Sequence, residues 1–189
     1  MSTLTTIETI KTRYSCRAFS DKMPNDADLQ AIAQAALASP SAMNLQPWRI
    51  IVVKNKELLA EFEAEGMKNI AALPDKSTYE RIMSRGGKLY YNTPCQFIIP
   101  IPKDGKWARL DCGIITQTIA LAAASLGINS LICGLIEFAF SGEKARYFRE
   151  KLDISDDEEV GISILLGYAD EAGVKPPHEL DLSKISVVE

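Results

Sequence analysis

Histidine is nearly missing from this chain: His178 is the only one in 189 residues. A zinc site built on imidazoles and a Ser-His-Asp triad both need more than that, so neither is expected. Any catalysis then rests on something other than side-chain acid–base chemistry. Two phosphate-binding patterns are missing as well: there is no G-x-G-x-x-G and no G-x-x-x-x-G-K-[ST]. The four cysteines, Cys16, Cys95, Cys112 and Cys133, include no C-x-x-C pair. A chain that is 47% hydrophobic has core enough without disulfide staples, so buried thiols are expected. Positive charge is not in surplus either. The formal net charge is −4, which leaves no basic footprint for nucleic acid.

The opening residues, MSTLTTIETIKTR, hold no apolar stretch of signal-peptide type, and a cytoplasmic location is expected. The longest uncharged run, Cys112 to Ile136, is long enough to raise the question of a membrane. Thr116, Gln117, Thr118, Asn129 and three glycines interrupt it, and Gly127 suits the residue just past a helix. A buried helix followed by a buried strand explains the run better than a span.

One domain over residues 1–189 is expected, with helices and strands alternating. Thr5 and Glu8 have capping-box spacing for a helix from about Thr6 to Thr12. Asn25 or Asp26 caps the next, in which Leu29, Ile32, Ala33, Ala36 and Leu37 form an apolar stripe that Pro40 brings to an end. WRIIVV reads as a strand and KELLAEFEAEGMKNI as a helix. Ala71 to Tyr91 reads as a mobile helix-and-loop excursion. CQFIIPIP is a strand whose prolines point to an edge or an end. Trp107 to Leu126 is a helix apolar on nearly all faces, which predicts burial all round and, for a chain this small, a homodimer packed on that helix. INSLICGL and GISILLGYA are strands with a surface helix, GEKARYFREKL, between them. The polar tail from Asp170 ends in the strand-like ISVV. The whole is an α/β or α+β three-layer fold.

Three stretches carry groups suited to binding. In RYSCRAF, Arg13, Ser15 and Arg17 alternate, so an extended backbone turns all three to one side, where two guanidiniums and a hydroxyl suit a phosphate. The same residues also read as a solvated basic stretch after a helix. In SPSAMNLQPWRIIVV, Ser39, Ser41, Asn44 and Gln46 offer hydrogen bonds to hydroxyls and heteroaromatic edges, or are simply the small polar residues of a loop. In CGL, Cys133 to Leu135, a glycine at a strand end lets the backbone come close to a ligand, or marks a bend.

Together these stretches resemble the signatures of the nitroreductase-like flavin proteins. RYSCRAF resembles an R-x-S-x-R-x-[FY] motif, and PSAMNLQPW resembles a Pro-Ser-x-x-Asn-x-Gln-Pro-Trp loop entering a strand. The resemblance implies an α+β, three-layer α/β/α homodimer with a central mixed, mostly antiparallel sheet and a C-terminal tail exchanged between subunits. ISVV would add a strand to the partner. It implies FMN at the subunit interface. Arg13 and Ser15 would face the phosphate, and Arg17 the phosphate or the pyrimidine edge, with Tyr14 beside them. Pro40, Ser41, Ala42, Met43, Asn44 and nearby Gln46 would come from the other subunit. Gly134 and Leu135, next to Cys133, would bring backbone N–H groups to the flavin N5.

Lys175 would complete the phosphate site. The second basic residue common in the family is absent from VKPPHEL or replaced by His178. Arg85 and Lys88 are candidates for further flavin contacts, or are solvated charges. The implied activity is reduction of a nitroaromatic, quinone or related conjugated acceptor by NADH or NADPH in ping-pong order, with no side chain acting as the catalyst and with neither membrane nor nucleic acid as partner. Alternatives are a specialised flavin enzyme (dehalogenase, enone reductase or flavin-consuming), a non-catalytic flavin-binding protein, and an interaction protein without cofactor.

Overall fold

The computed structural model describes residues 5–188. Its first helix starts where the capping box predicts. The Glu8 N–H donates to Thr5 Oγ1 at 3.3 Å and the Thr5 N–H to Glu8 Oε2 at 2.7 Å, opening α1 (Thr6–Thr12). Asn25 caps α2 (Asp26–Leu37) by accepting the Asp28 N–H. Leu29, Ile32 and Ala36 of the expected stripe are buried and Ala33 is half-buried, while Leu37 lies exposed.

Four strands follow: β1 (Ile51–Val53), β2 (Cys95–Pro102), β3 (Asn129–Cys133) and β4 (Glu158–Gly167). Their order is β1-β2-β4-β3 and every pairing is antiparallel. The parallel component is a bridge between Ser15 and Ser130, which lays RYSCRAF along the outer edge of β3. β2 and the second half of β4 read as continuous apolar runs because helices cover both faces. One face carries α3 (Lys56–Ala72), α4 (Ser77–Met83) and α6 (Ala145–Lys151), and buries Phe62, Leu89, Phe148 and Leu165. The other carries α2 and α5 (Ala108–Ser125), and buries Ile32, Ile115, Ile119 and Ile164. The result is the expected α+β three-layer arrangement. No helix among the described residues is long and apolar enough to cross a membrane.

Several elements differ from expectation for identifiable reasons. β1 is three residues rather than six. Ahead of Ile51, Arg49 keeps only an N–H bond to the Pro100 carbonyl, because Pro100 has no N–H to return; on its other side β2 slips against β4 at a bulge between Ile99 and Pro100. β2 is an interior strand, not an edge; its prolines sit at and beyond that bulge, at the strand end. β3 stops at Cys133, and Gly134–Phe140 turns into a 3₁₀ helix. Ala71–Tyr91 is anchored rather than loose. Glu63 accepts the N–H groups of Leu89 and Tyr90 at 2.7 and 2.9 Å, and Ile82, Leu89 and Tyr90 are buried. α5 is not covered all round within one chain: Trp107 and Leu110 are exposed, and Ile114 and Leu121 half-buried, along one stripe. ISVV forms no strand in this chain; Ile185, Val187 and Val188 lie exposed after a 3₁₀ turn at Leu182–Lys184.

Candidate functional site

The site is assembled on the free edge of β3. The Cys16 N–H donates to the Ser130 carbonyl at 3.0 Å, and the Ser20 N–H to the Tyr168 carbonyl at 2.8 Å, so RYSCRAF is pinned at both ends. Cys16 faces inward and is fully buried, which turns its neighbours Ser15 and Arg17 toward the surface. Tyr14 ties the segment to the sheet. Its hydroxyl accepts from Asn129 Nδ2 at 3.0 Å, and Asn129 Oδ1 accepts the Ala169 N–H. Burial raises the Tyr14 phenol above its ordinary range, so it stays a neutral hydrogen-bonding group.

Two depressions flank the Ser15–Ser130 bridge. The first, about 120 Å³, holds Arg13 and Tyr14 against Ala124, Gly127, Ile128, Asn129 and Ser130. Here Arg13 Nε is buried with no hydrogen-bond partner among the described residues. A buried charged donor without an acceptor is costly, and an incoming anion would satisfy it. The second, about 160 Å³, is lined by Arg17, Arg81 and Arg85 together with Leu131, Ile132, Cys133, Gly134 and Leu135. Arg13 and Arg17 thus open into neighbouring hollows rather than one, because the bridge at Ser15 stands between them. Arg17 Nη1 donates to the Ser15 carbonyl at 3.4 Å, which folds the side chain back along the segment.

Gly134 sits exposed at the mouth of the second hollow, with no atom within 4 Å of where a Cβ would stand. A flat ligand therefore has room to approach its backbone. Burial pushes the Cys133 thiol up to about 11, which makes it a neutral, inert thiol rather than a nucleophile.

The second signature is held elsewhere. Ser39 Oγ donates to Thr118 Oγ1 at 2.8 Å, and the Ala42 N–H donates to Asp111 Oδ1 at 2.9 Å, both on α5. The Gln46 N–H donates to Ser41 Oγ at 2.8 Å. Met43, Asn44 and Gln46 are all left-handed, with φ of 53°, 55° and 47°, a conformation that persists only where surrounding bonds hold it. Pro40, Met43, Asn44 and Gln46 are exposed, and Ser41 and Ala42 half-buried. None of Pro40 to Gln46 lines either hollow. The loop belongs to the α5 face, whereas the second hollow opens beside the α4 face. One chain therefore presents the two signatures separately. Lys175 and His178 lie exposed in the tail and line neither hollow.

Lys88 and Arg85 part company. Arg85 lines the second hollow with Arg17, while Lys88 lines a larger cavity of about 660 Å³ with Lys54, Lys56 and Met67. Arg81 joins Arg85 one helical turn away, and sequence reasoning missed it; the i, i+4 spacing of the two arginines was the available signal. Asp111, Gln96 and Ser163 were missed too. Gln96 and Ser163 are lone polar residues in apolar runs, Asp111 follows Arg109 at the head of α5, and all three are buried.

Four guanidiniums along one strand edge, one of them short of an acceptor, suit an elongated anionic ligand. Comparison with known proteins gives the family. Residues 10–168 match the nitroreductase family. A protein of Archaeoglobus fulgidus, provisionally named NADH dehydrogenase/NAD(P)H nitroreductase, is 30% identical over 86% of this chain and 84% of its own length. A nitroreductase from Desulfitobacterium hafniense, solved with bound FMN, is 50% identical, covers 100% of both chains and superposes with a TM-score of 0.93. One from Bacteroides fragilis, also with bound FMN, is 29% identical over 97% of this chain and 98% of its own, with a TM-score of 0.88. With the strand-edge site, the two signatures and these likenesses together, the chain belongs to the nitroreductase family.

Proposed function

We propose that the chain is an FMN-dependent oxidoreductase that takes electrons from NADH or NADPH and passes them to a nitroaromatic, quinone or related conjugated acceptor. The observation that carries this reading is the β3 edge. Arg13 has a buried Nε in want of an acceptor, and Arg17, Arg81 and Arg85 surround a hollow whose rim is an unobstructed glycine. These residues fit FMN. Arg13 with Ser15 holds the phosphate, since guanidinium to phosphate bonds are charge-assisted. Arg17, Arg81 and Arg85 lie at the ring end, where positive charge favours an electron-rich cofactor. The Gly134 N–H orients the ring edge that exchanges hydride. Tyr14 and Cys133 support the backbone around it.

When bound, FMN supplies the redox chemistry, and the protein binds, orients and tunes it. No side chain needs to move a proton at the reacting atom, in keeping with a chain that has one histidine. Donor and acceptor enter the same opening in turn, so the kinetics are ping-pong.

The reading includes a homodimer. The stripe Trp107, Leu110, Ile114 and Leu121 on α5 is apolar and uncovered in one chain, as are Ile7 and Ile10 of α1 and Met43 and Leu45 of the signature loop. An apolar surface of that extent marks an interface. Pairing two copies on α5 carries Pro40 to Asn44 of one subunit to the β3 edge of the other. The tail beyond Gly173, with Leu180, Leu182, Ile185, Val187 and Val188 exposed, crosses to the partner, and Lys175 reaches the partner's phosphate site with it. Steady-state rates measured over a grid of NAD(P)H and acceptor concentrations test the reading: parallel reciprocal plots with a nitroaromatic or a quinone support it, and absence of turnover with every acceptor and both donors refutes it.

A further inference from the structure

Three buried polar groups cross the sheet beneath the second hollow. Gln96 on β2 and Ser163 on β4 are both fully buried, in strands otherwise apolar there. Gln96 Nε2 donates to Ser163 Oγ at 2.8 Å, and Ser163 Oγ donates to the Cys133 carbonyl at 3.0 Å. The chain of donors runs one way and ends on one carbonyl. Gln96 Oε1 has no partner among the described residues, so the amide is held by its donor end alone.

The Cys133 carbonyl is half of a peptide unit whose other half is the Gly134 N–H. In a trans peptide the two point in opposite directions. The strand register settles which way each goes. Ser130 turns its carbonyl outward, to Cys16. Backbone groups alternate sides along a strand, so Cys133 turns its carbonyl inward, to its register partner Ser163. The Gly134 N–H then points out over the free edge, into the hollow lined by Arg17 and Arg85. The ladder already brings the Ser163 N–H to that carbonyl, and the Ser163 hydroxyl adds a second bond that fixes the peptide's tilt. On the outer side Gly134 has no side chain and nothing packed against its Cβ position, so the orientation of its N–H is set from the inner side.

We infer that Gln96 and Ser163 are positioning residues: a buried donor relay that locks the Cys133–Gly134 peptide so that the Gly134 N–H is presented to the ring edge of the cofactor. The inference rests on the FMN reading above. Each bond polarises the next, so Gln96 strengthens the hold of Ser163, and Ser163 sharpens Gly134 as a donor. A donor fixed toward the N5 edge favours oxidised flavin, which accepts there, over reduced flavin, which carries its own N–H at that atom.

The test uses Ser163→Ala and Gln96→Met in the FMN-loaded protein. Gln96→Met keeps the volume and removes an amide already short of one partner, so it carries the test where Ser163→Ala does not fold. In the unchanged protein, FMN shifts the Gly134 amide proton downfield. Ser163→Ala loses most of that shift and weakens oxidised FMN about tenfold more than reduced, raising the midpoint potential by about 30 mV for a two-electron couple. Gln96→Met moves both in the same direction by less. A folded Ser163→Ala protein with the same Gly134 shift and the same potential overturns the inference, as does loss of affinity that is equal in both redox states. The carbonyl carbon resonance of Cys133 in FMN-free protein separates this from the functional reading. If it does not move in Ser163→Ala, the relay is refuted whether or not FMN binds; if it moves and FMN does not bind, the function is what fails.

Discussion

Arg13→Met removes a guanidinium while keeping an apolar stem. In the protein without FMN, Arg13 Nε is buried with no partner among the described residues. Its loss therefore takes away no hydrogen bond made there, and the FMN-free protein is as stable as before or more so. With FMN the sign reverses. A charged hydrogen bond to the phosphate contributes about 1.5–3 kcal/mol, which is roughly ten- to 150-fold in the dissociation constant. At FMN a hundred times the unaltered protein's Kd, binding stabilises that protein by about 2.7 kcal/mol, and a variant bound a hundredfold more weakly by about 0.4 kcal/mol. For a chain of this length that difference is roughly 5–9 °C in Tm. Thermal unfolding with and without FMN, beside a titration of flavin fluorescence, reads both effects. An unchanged Kd, or a variant destabilised as much without FMN as with it, would refute the phosphate role.

Further expectations follow from other contacts. Asp111→Ala removes the acceptor of the Ala42 N–H and frees the left-handed loop, so FMN binding weakens about tenfold, or about 1.4 kcal/mol, in a fluorescence titration; Asp111→Asn, which keeps Oδ1, binds as before. Gly173→Ala drives a Cβ into the Ala18 carbonyl oxygen, where the 3₁₀ turn Glu171–Gly173 meets RYSCRAF, and lowers stability by about 1–3 kcal/mol in urea unfolding. The Arg49 fork, by its hydrogen bonds, holds the Glu158 carboxyl down at about 2, against an ordinary 4.5. A depressed carboxyl stabilises the fold above its unfolded pKa and loses that contribution as pH falls through its folded one. Arg49 is 43% exposed, so Glu158→Gln costs about 1 kcal/mol at neutral pH, and the gap from the unaltered protein closes between about pH 5 and 2. A gap that does not change with pH would deny Glu158 that role.

Much of the fold could be read before the structure was seen, and the reasons are local. The capping box at Thr5, the stripe from Leu29 to Ala36 and the stop before Pro40 are decided by neighbours in sequence, and α1 and α2 lie where they should. What depended on distant partners was read less well. β1 shortened because Pro100, opposite its start, has no N–H to give the ladder. α5 looked buried on every side because its composition is apolar all round, while Trp107 and Leu110 lie exposed in one chain. At the site, alternation alone placed Arg13 and Arg17 together, and the Ser15–Ser130 bridge separates them. Arg81 was invisible because a helix on the surface is rich in charge whatever it does. Gln96 and Ser163 stood out only as polar residues in apolar strands, and their partnership across two ladders is a fact of register.

The central claim is that this strand edge holds a flavin that nicotinamides reduce. The most direct measurement is the anaerobic absorbance spectrum of the protein loaded with FMN, taken before and after adding NADH and then NADPH. Bleaching of the oxidised flavin bands by at least one of the two is the predicted result, and it also names the donor. A protein that takes up no FMN, or one whose flavin bands neither nucleotide bleaches, would contradict it.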